Sequence, residues 1–99
     1  MFLDPEEQLL SRRMWEVCEQ IITDTEIRKF GVLGLHMRDH IVKRIQWDQR
    51  HNSSTLAMHE LLLVWRRSQG STEEAFDNLC KALARLELNS LIAELKEIE

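Results

Sequence analysis

A chain of 99 residues with 3 Gly, 1 Pro and no Tyr is long enough for one hydrophobic core, and it lacks the turn residues of an all-β fold. Leu, Glu and Arg are abundant, which points to a compact all-α bundle forming a single domain over residues 1–99. The net charge of −4 argues against nucleic-acid binding, whose affinity rests on neutralising phosphates, and no apolar run approaches the roughly 20 residues of a membrane span.

Asp4-Pro5-Glu6-Glu7 opens the first helix, with Asp at the N-cap, Pro at the first helical position and acids facing the helix dipole. The leading MFLDPEEQ has neither the basic start nor the apolar stretch of a secretory signal. This helix runs to about Ile22 and turns Leu10, Met14, Val17, Cys18 and Ile21 to one side. Thr23-x-x-Glu26 is a capping box for a short second helix with Ile27, Phe30 and Leu33 inward. Gly34 stands where a left-handed C′ residue is wanted. A third helix spans about Met37 to Trp47 on Ile41, Val42 and Ile45.

The polar run Arg50-His51-Asn52-Ser53-Ser54 is a turn in which Ser53 or Ser54 caps the fourth helix. That helix carries Ala57, Leu61, Leu62 and Trp65 inward until Gly70 stops it. Ser71-x-x-Glu74 caps the fifth helix, whose inner face is Ala75, Phe76, Leu79, Cys80, Leu83 and Leu86. The short turn makes helices four and five antiparallel neighbours, with Trp65 meeting Phe76, and the rest of the chain should pack around this hairpin. Asn89 caps a sixth helix with Leu91, Ile92, Leu95 and Ile98 as its stripe.

The charge is unevenly spread. Residues 1–35 carry four basic and seven acidic side chains, residues 36–67 six and three, and residues 68–99 three and seven. A basic centre between acidic flanks fits either ordinary solvated helix faces or copies docked head to tail.

Candidate chemistry is thin. His36 and His40 have the spacing at which one helix face shares a metal, but no further ligands accompany them. Cys18 and Cys80 fall on inward faces, as small core residues in a reducing compartment, so the cytoplasm is the expected location. Neither cysteine has the electropositive, exposed setting of a nucleophile, and no phosphate-binding glycine loop is present. The expectation is a non-enzyme with no cofactor and no metal. Trp15 and Trp47 lie off or at the margin of the apolar stripes, which fits either partial burial at a helix edge or an exposed interface anchor.

Leu61-Leu62-Leu63-Val64-Trp65, a polar turn from Arg66 to Thr72, and Leu79-Cys80-Lys81-Ala82-Leu83 together resemble the fourth and fifth helices of death domains. Leu33-Gly34-Leu35 and Asn89 to Leu95 are similar to that family's second and sixth helices, and EEQLLSRRMWEVCEQI to its first. The chain therefore resembles the death-fold superfamily along nearly its whole length. Leu9-Leu10-Ser11-Arg12-Arg13 and Ala75-Phe76-Asp77 are similar instead to caspase-recruitment domains of the same superfamily, and Ile27 stands where most death domains have Trp. Trp65 and the length of the turn after it favour the death domain.

The resemblance implies an all-α, six-helix antiparallel bundle of death-fold (Greek-key) type. It implies a non-catalytic module that assembles with other death-fold domain proteins, and with itself, in apoptotic or inflammatory signalling. Family assembly uses asymmetric surface pairs, for which the sequence offers Arg38, Lys43, Arg44, Arg66 and Arg67 as the basic side. Glu73, Glu74 and Asp77 are the acidic side, with Glu16 and Glu19 secondary. On this reading Arg66→Glu weakens assembly without lowering thermal stability much. A decoy binding one partner without polymerising, or a nucleic-acid-binding bundle, are the competing expectations.

Overall fold

The computed structural model describes residues 4–98, and every regular element among them is helical. Residues 1–3 and 99, which the expected domain span includes, lie outside the described residues. The six helices are α1 (Pro5–Gln20), α2 (Asp24–Lys29), α3 (Asp39–Asp48), α4 (Ser54–Arg66), α5 (Thr72–Arg85) and α6 (Asn89–Glu97). A π turn, Phe30–Gly34, continues α2 without a break. The Cα radius of gyration of 12.7 Å matches the roughly 13 Å of one packed domain of this length.

Four helices start where a local cap dictates. The Asp4 side chain accepts from the Glu6 N–H at 2.8 Å, Thr23 Oγ1 from Glu26 N–H at 3.1 Å, Ser53 Oγ from Leu56 N–H at 3.3 Å, and Ser71 Oγ from Glu74 N–H at 3.2 Å. Each side chain satisfies a backbone donor that the first turn leaves without a partner. In the second of these caps the Glu26 carboxylate also accepts from the Thr23 hydroxyl at 2.8 Å.

Several helix ends differ from the sequence expectations. Helix α1 ends at Gln20, and α4 ends at Arg66, four residues before the Gly70 expected to stop it. Gly34 is not left-handed; that conformation falls on His36, at φ 57°. The π turn explains the shift, because its extra residue moves the closing bonds along: Leu35 N–H reaches Phe30 O and Met37 N–H reaches Gly31 O, each at 2.9 Å. The same widening turns Leu33 to solvent, 55% exposed, while Phe30, Gly31 and Gly34 face the core. Helix α3 consequently begins at Asp39. Asn89 does not cap α6. Helix α5 closes through left-handed Glu87 (φ 61°), with Leu88 N–H bonded to Leu83 O at 3.0 Å, so only Leu86, Glu87 and Leu88 separate the helices and Asn89 is already helical.

The core is apolar throughout: no polar or charged residue among those described is buried. Helix α1 contributes Leu10, Met14, Val17 and Cys18, and Ile21 follows at its C-cap. Helix α4 supplies Ala57, Met58, Leu61, Leu62 and Trp65, and α5 supplies Ala75, Leu79, Ala82 and Leu83. The expected α4–α5 hairpin is not the main contact. Helix α4 packs chiefly on α1 and α3, and α5 on the π turn, α6 and α1. Two glycines make this possible by letting the π turn come close. A Cβ on Gly31 would stand 2.9 Å from Val42 Cγ2 and 3.3 Å from Leu61 Cδ2, and one on Gly34 would stand 3.1 Å from the Ala82 carbonyl oxygen. Phe76 is only half-buried, and its ring lies 4.0 Å beneath the Arg13 guanidinium of α1.

Candidate protein-interaction surfaces

Helix α3 carries two of the five expected basic residues, Lys43 and Arg44, which divide around its circumference, and Arg38 stands at its N-cap. Residues 43 and 44 are about 100° apart on a helix, so Lys43 turns toward α2 while Arg44 points away from the core. Arg38, Lys43 and Arg44 are all exposed. Lys43 lines an open groove of about 360 Å³ between α2 and α3, together with Asp24, Thr25, Arg28, Gln46, Trp47 and Arg50.

A carboxylate shared by two cations holds two of the groove's lining residues, Arg28 and Lys43, together. Asp39 Oδ1 accepts from Arg28 Nε at 3.1 Å and its Oδ2 from Arg28 Nη2 at 3.3 Å, while Lys43 Nζ lies 3.2 Å from Oδ2. The hydrogen bonds from Arg28, and after them those from Lys43, hold the Asp39 carboxyl below the usual carboxylate range. With one acid between two bases, a net positive charge remains. Gln46 Nε2 donates to the Asp24 carbonyl at 2.8 Å and ties the floor of the groove together. Trp47 stands at its edge, 65% exposed, with the Arg50 guanidinium 4.0 Å over its ring and Arg50 Nη1 donating to Trp47 O at 2.8 Å. The groove thus sets three cations, with Asp24 in its lining and Asp39 bound to two of them, around an exposed indole.

Arg66 belongs elsewhere. Its side chain is only 21% exposed, and it forms an ion pair with Glu7 of α1 while Nη1 donates to the Gly70 carbonyl at 3.1 Å. Its Nε is buried without a hydrogen-bond partner. The guanidinium therefore joins α4 to α1, and the expected grouping of Arg66 with the α3 cations is corrected. Arg67 is exposed.

The acidic residues Glu73, Glu74 and Asp77 are exposed on the first turns of α5. Glu73 lines a cleft of about 180 Å³ with Glu6, Leu9, Leu10, Arg13, Thr72 and Phe76, so the starts of α1 and α5 lie side by side and pool their acids. Glu16 is half-buried and Glu19 exposed on α1. No protein-family model matches the sequence, and neither a curated protein nor a solved structure is significantly similar to it.

The remaining chemistry is sparse. His36 precedes α3 and so does not share a helix face with His40. Among the described residues, no three or more His, Cys, Asp or Glu are grouped to hold a metal ion, and no helix is long and apolar enough to cross a membrane. Burial pushes the Cys18 thiol up to about 12 and also raises that of Cys80, which is half-buried and not the core residue expected. Arg28 and Arg50 line the groove and were not among the expected interaction residues; Arg28 is the one held there by a tertiary partner. Its role depends on Asp39, 11 residues away, and only the charge of Arg28 itself is visible in the sequence.

Proposed function

We propose that this chain is a non-catalytic interaction module of death-fold type, closest to a death domain, that assembles with other death-fold domains and with copies of itself in apoptotic or inflammatory signalling. The observation that carries the reading is the separation of opposite charges onto two structured surfaces. One is the α2–α3 groove, with Arg28, Lys43 and Arg50 around exposed Trp47. The other is the joined start of α1 and α5, with Glu6 and Glu73 in one cleft and Glu74 and Asp77 beside it. The six-helix architecture, in which α1 packs against α4, α5 and α6 across the chain order, supports the same reading.

A heterologous contact between unlike faces leaves each copy with a free surface of either kind, so it propagates instead of closing. Charges at the rim of such a contact set its rate and register. Light scattering coupled to size exclusion tests the reading. Mass should grow beyond a dimer with concentration and fall back as salt screens the two faces. The double variant Lys43→Glu/Arg50→Glu should abolish that growth while keeping the helical signal. Growth indifferent to salt and to this variant would overturn the proposal.

A further inference from the structure

Three of the six large hydrophobic residues exposed among those described, Trp15, Leu56 and Leu63, lie on α1 and α4. The two helices run antiparallel there: Glu7 pairs with Arg66 near one end, and Trp15 stacks on His59 near the middle, with ring centroids 3.9 Å apart and planes 13° apart. The stack fixes an indole that is 37% exposed and lays its apolar surface flat against α4. Contiguous exposed apolar surface of this kind marks a contact site more often than single exposed leucines do.

The spacing around the stack repeats on both helices. On α4, Leu56, His59 and Leu63 stand at i, i+3 and i+7, the residues of one helix face. On α1, Arg12, Trp15 and Glu19 have the same spacing, and Arg12 and Glu19 are exposed. Because the helices are antiparallel, Arg12 lies at the Leu63 end and Glu19 at the Leu56 end. A half turn about an axis that lies in this face and crosses both helices at the stack brings each leucine onto the other leucine and each charge onto its opposite. A surface with this property is complementary to itself, which is the requirement of a two-fold, isologous contact. A two-fold axis running along the helices would instead set Arg12 against Leu63 and Glu19 against Leu56.

We propose that the α1–α4 face pairs with the same face of a second copy of this chain, across a two-fold axis at the Trp15–His59 stack. Leu56 then meets the second copy's Leu63, and Arg12 meets the second copy's Glu19. The contact is independent of the charged surfaces proposed above: it closes at two copies, and its apolar centre survives high salt. A strip this narrow belongs with interfaces below about 1,200 Å², which are weak and transient.

Sedimentation equilibrium near 1 M salt, where charges separated by more than about 3 Å are screened, tests the pairing apart from the charge-driven assembly. The chain should reach a dimer mass and stop. Leu63→Lys should raise the dissociation constant at least about tenfold, and so should Leu56→Glu. The double variant Leu56→Glu/Leu63→Lys, measured at low salt in the Lys43→Glu/Arg50→Glu background that removes the charge-driven growth, should regain the dimer, because its new charges face their opposites across the axis. If a leucine variant loses its helical signal, Arg12→Glu should weaken the low-salt dimer of the Lys43→Glu/Arg50→Glu background and Arg12→Glu/Glu19→Arg should restore it. A chain that stays monomeric at every concentration overturns the proposal and leaves the strip to a different protein. A dimer untouched by Leu63→Lys, or one the double variant fails to restore, overturns it as well.

Discussion

Arg66 and Glu7, 59 residues apart in sequence, form an ion pair that joins the last turn of α4 to the first turn of α1. The pair is partly buried, and Arg66 also holds the Gly70 carbonyl at the mouth of the α4–α5 turn. Removing the guanidinium therefore leaves a partly desolvated carboxylate and a carbonyl without their donor. Solvent still reaches both side chains, which places the cost between that of a surface pair and that of a buried one. Arg66→Ala should lower stability by about 1–2 kcal/mol, and Arg66→Glu by more, since it sets like charges together. In urea denaturation, Arg66→Ala and Glu7→Gln should be less than additive in the double variant. The sequence reading expected Arg66→Glu to spare the fold; its tertiary partner reverses that expectation.

Two glycines should respond in opposite ways to alanine. At Gly31, alanine gains roughly 0.5–1 kcal/mol in backbone terms. Its Cβ, however, would stand 2.9 Å from a buried Val42 methyl and close to Leu61. Overpacking of this kind costs about 1–3 kcal/mol, so Gly31→Ala should lower the melting temperature. At Gly70 a new Cβ meets the carboxylate end of exposed Glu74, which can swing aside, and φ is not positive. Gly70→Ala should be neutral or stabilising by up to about 1 kcal/mol.

Stability should begin to fall as the pH drops through the ordinary histidine range. Burial holds the His59 imidazole below its usual value, against a smaller upward pull from Glu60. The unfolded chain therefore takes up a proton near pH 6.5 before the folded chain does. Folding free energy declines below that pH and levels off once the folded imidazole has also protonated. Asp39 acts later: its depressed pKa gives stability that is present above the unfolded carboxyl value and lost as pH falls through the folded one. An NMR titration of the His59 ring proton should give a midpoint below that of a histidine peptide. A His59→Gln variant should lack the first decline.

The two thiols should be distinguishable by alkylation. Cys18 is fully buried, and burial carries its thiol to about 12, so at neutral pH it holds almost no thiolate and reacts only when the chain opens. Cys80 is half-buried with its thiol also raised by burial, and should react first because reagent reaches it without unfolding, though more slowly than a free cysteine. In a pulse of iodoacetamide, labelling of Cys18 should rise with urea along the unfolding curve, and labelling of Cys80 should precede it.

What could be read from the sequence was what is local. The caps at Asp4, Thr23, Ser53 and Ser71 each need only residues two or three positions away, and all four are present. The apolar stripes of α1 and α4 are likewise properties of one helix. The π turn was not legible, because the shift from Gly34 to His36 as the left-handed residue depends on packing against Val42, Leu61 and Ala82. Nor was the close of α5, where Glu87 takes a conformation that glycine or asparagine usually supplies. Among the surface residues, Lys43 and Glu73 fall on structured features, but Arg28 enters the groove through Asp39, and Arg66 leaves the basic set through Glu7.

Two helical C-terminal ends are completed, and one helix start is braced, from far along the chain. Arg13 Nε of α1 donates to the Leu95 carbonyl of α6 at 3.0 Å, Arg85 Nη1 of α5 to the Gly34 carbonyl of the π turn at 2.6 Å, and Gln46 Nε2 of α3 to the Asp24 carbonyl of α2 at 2.8 Å. Short helices are marginal by themselves, and here the groups that finish one turn are carried by another. Segments joined in this way open as a unit, so local fraying at α6 is coupled to the integrity of α1. Amide protons in the last turn of α6 should exchange in step with those of α1, and the Arg13→Ala variant should uncouple the two rates.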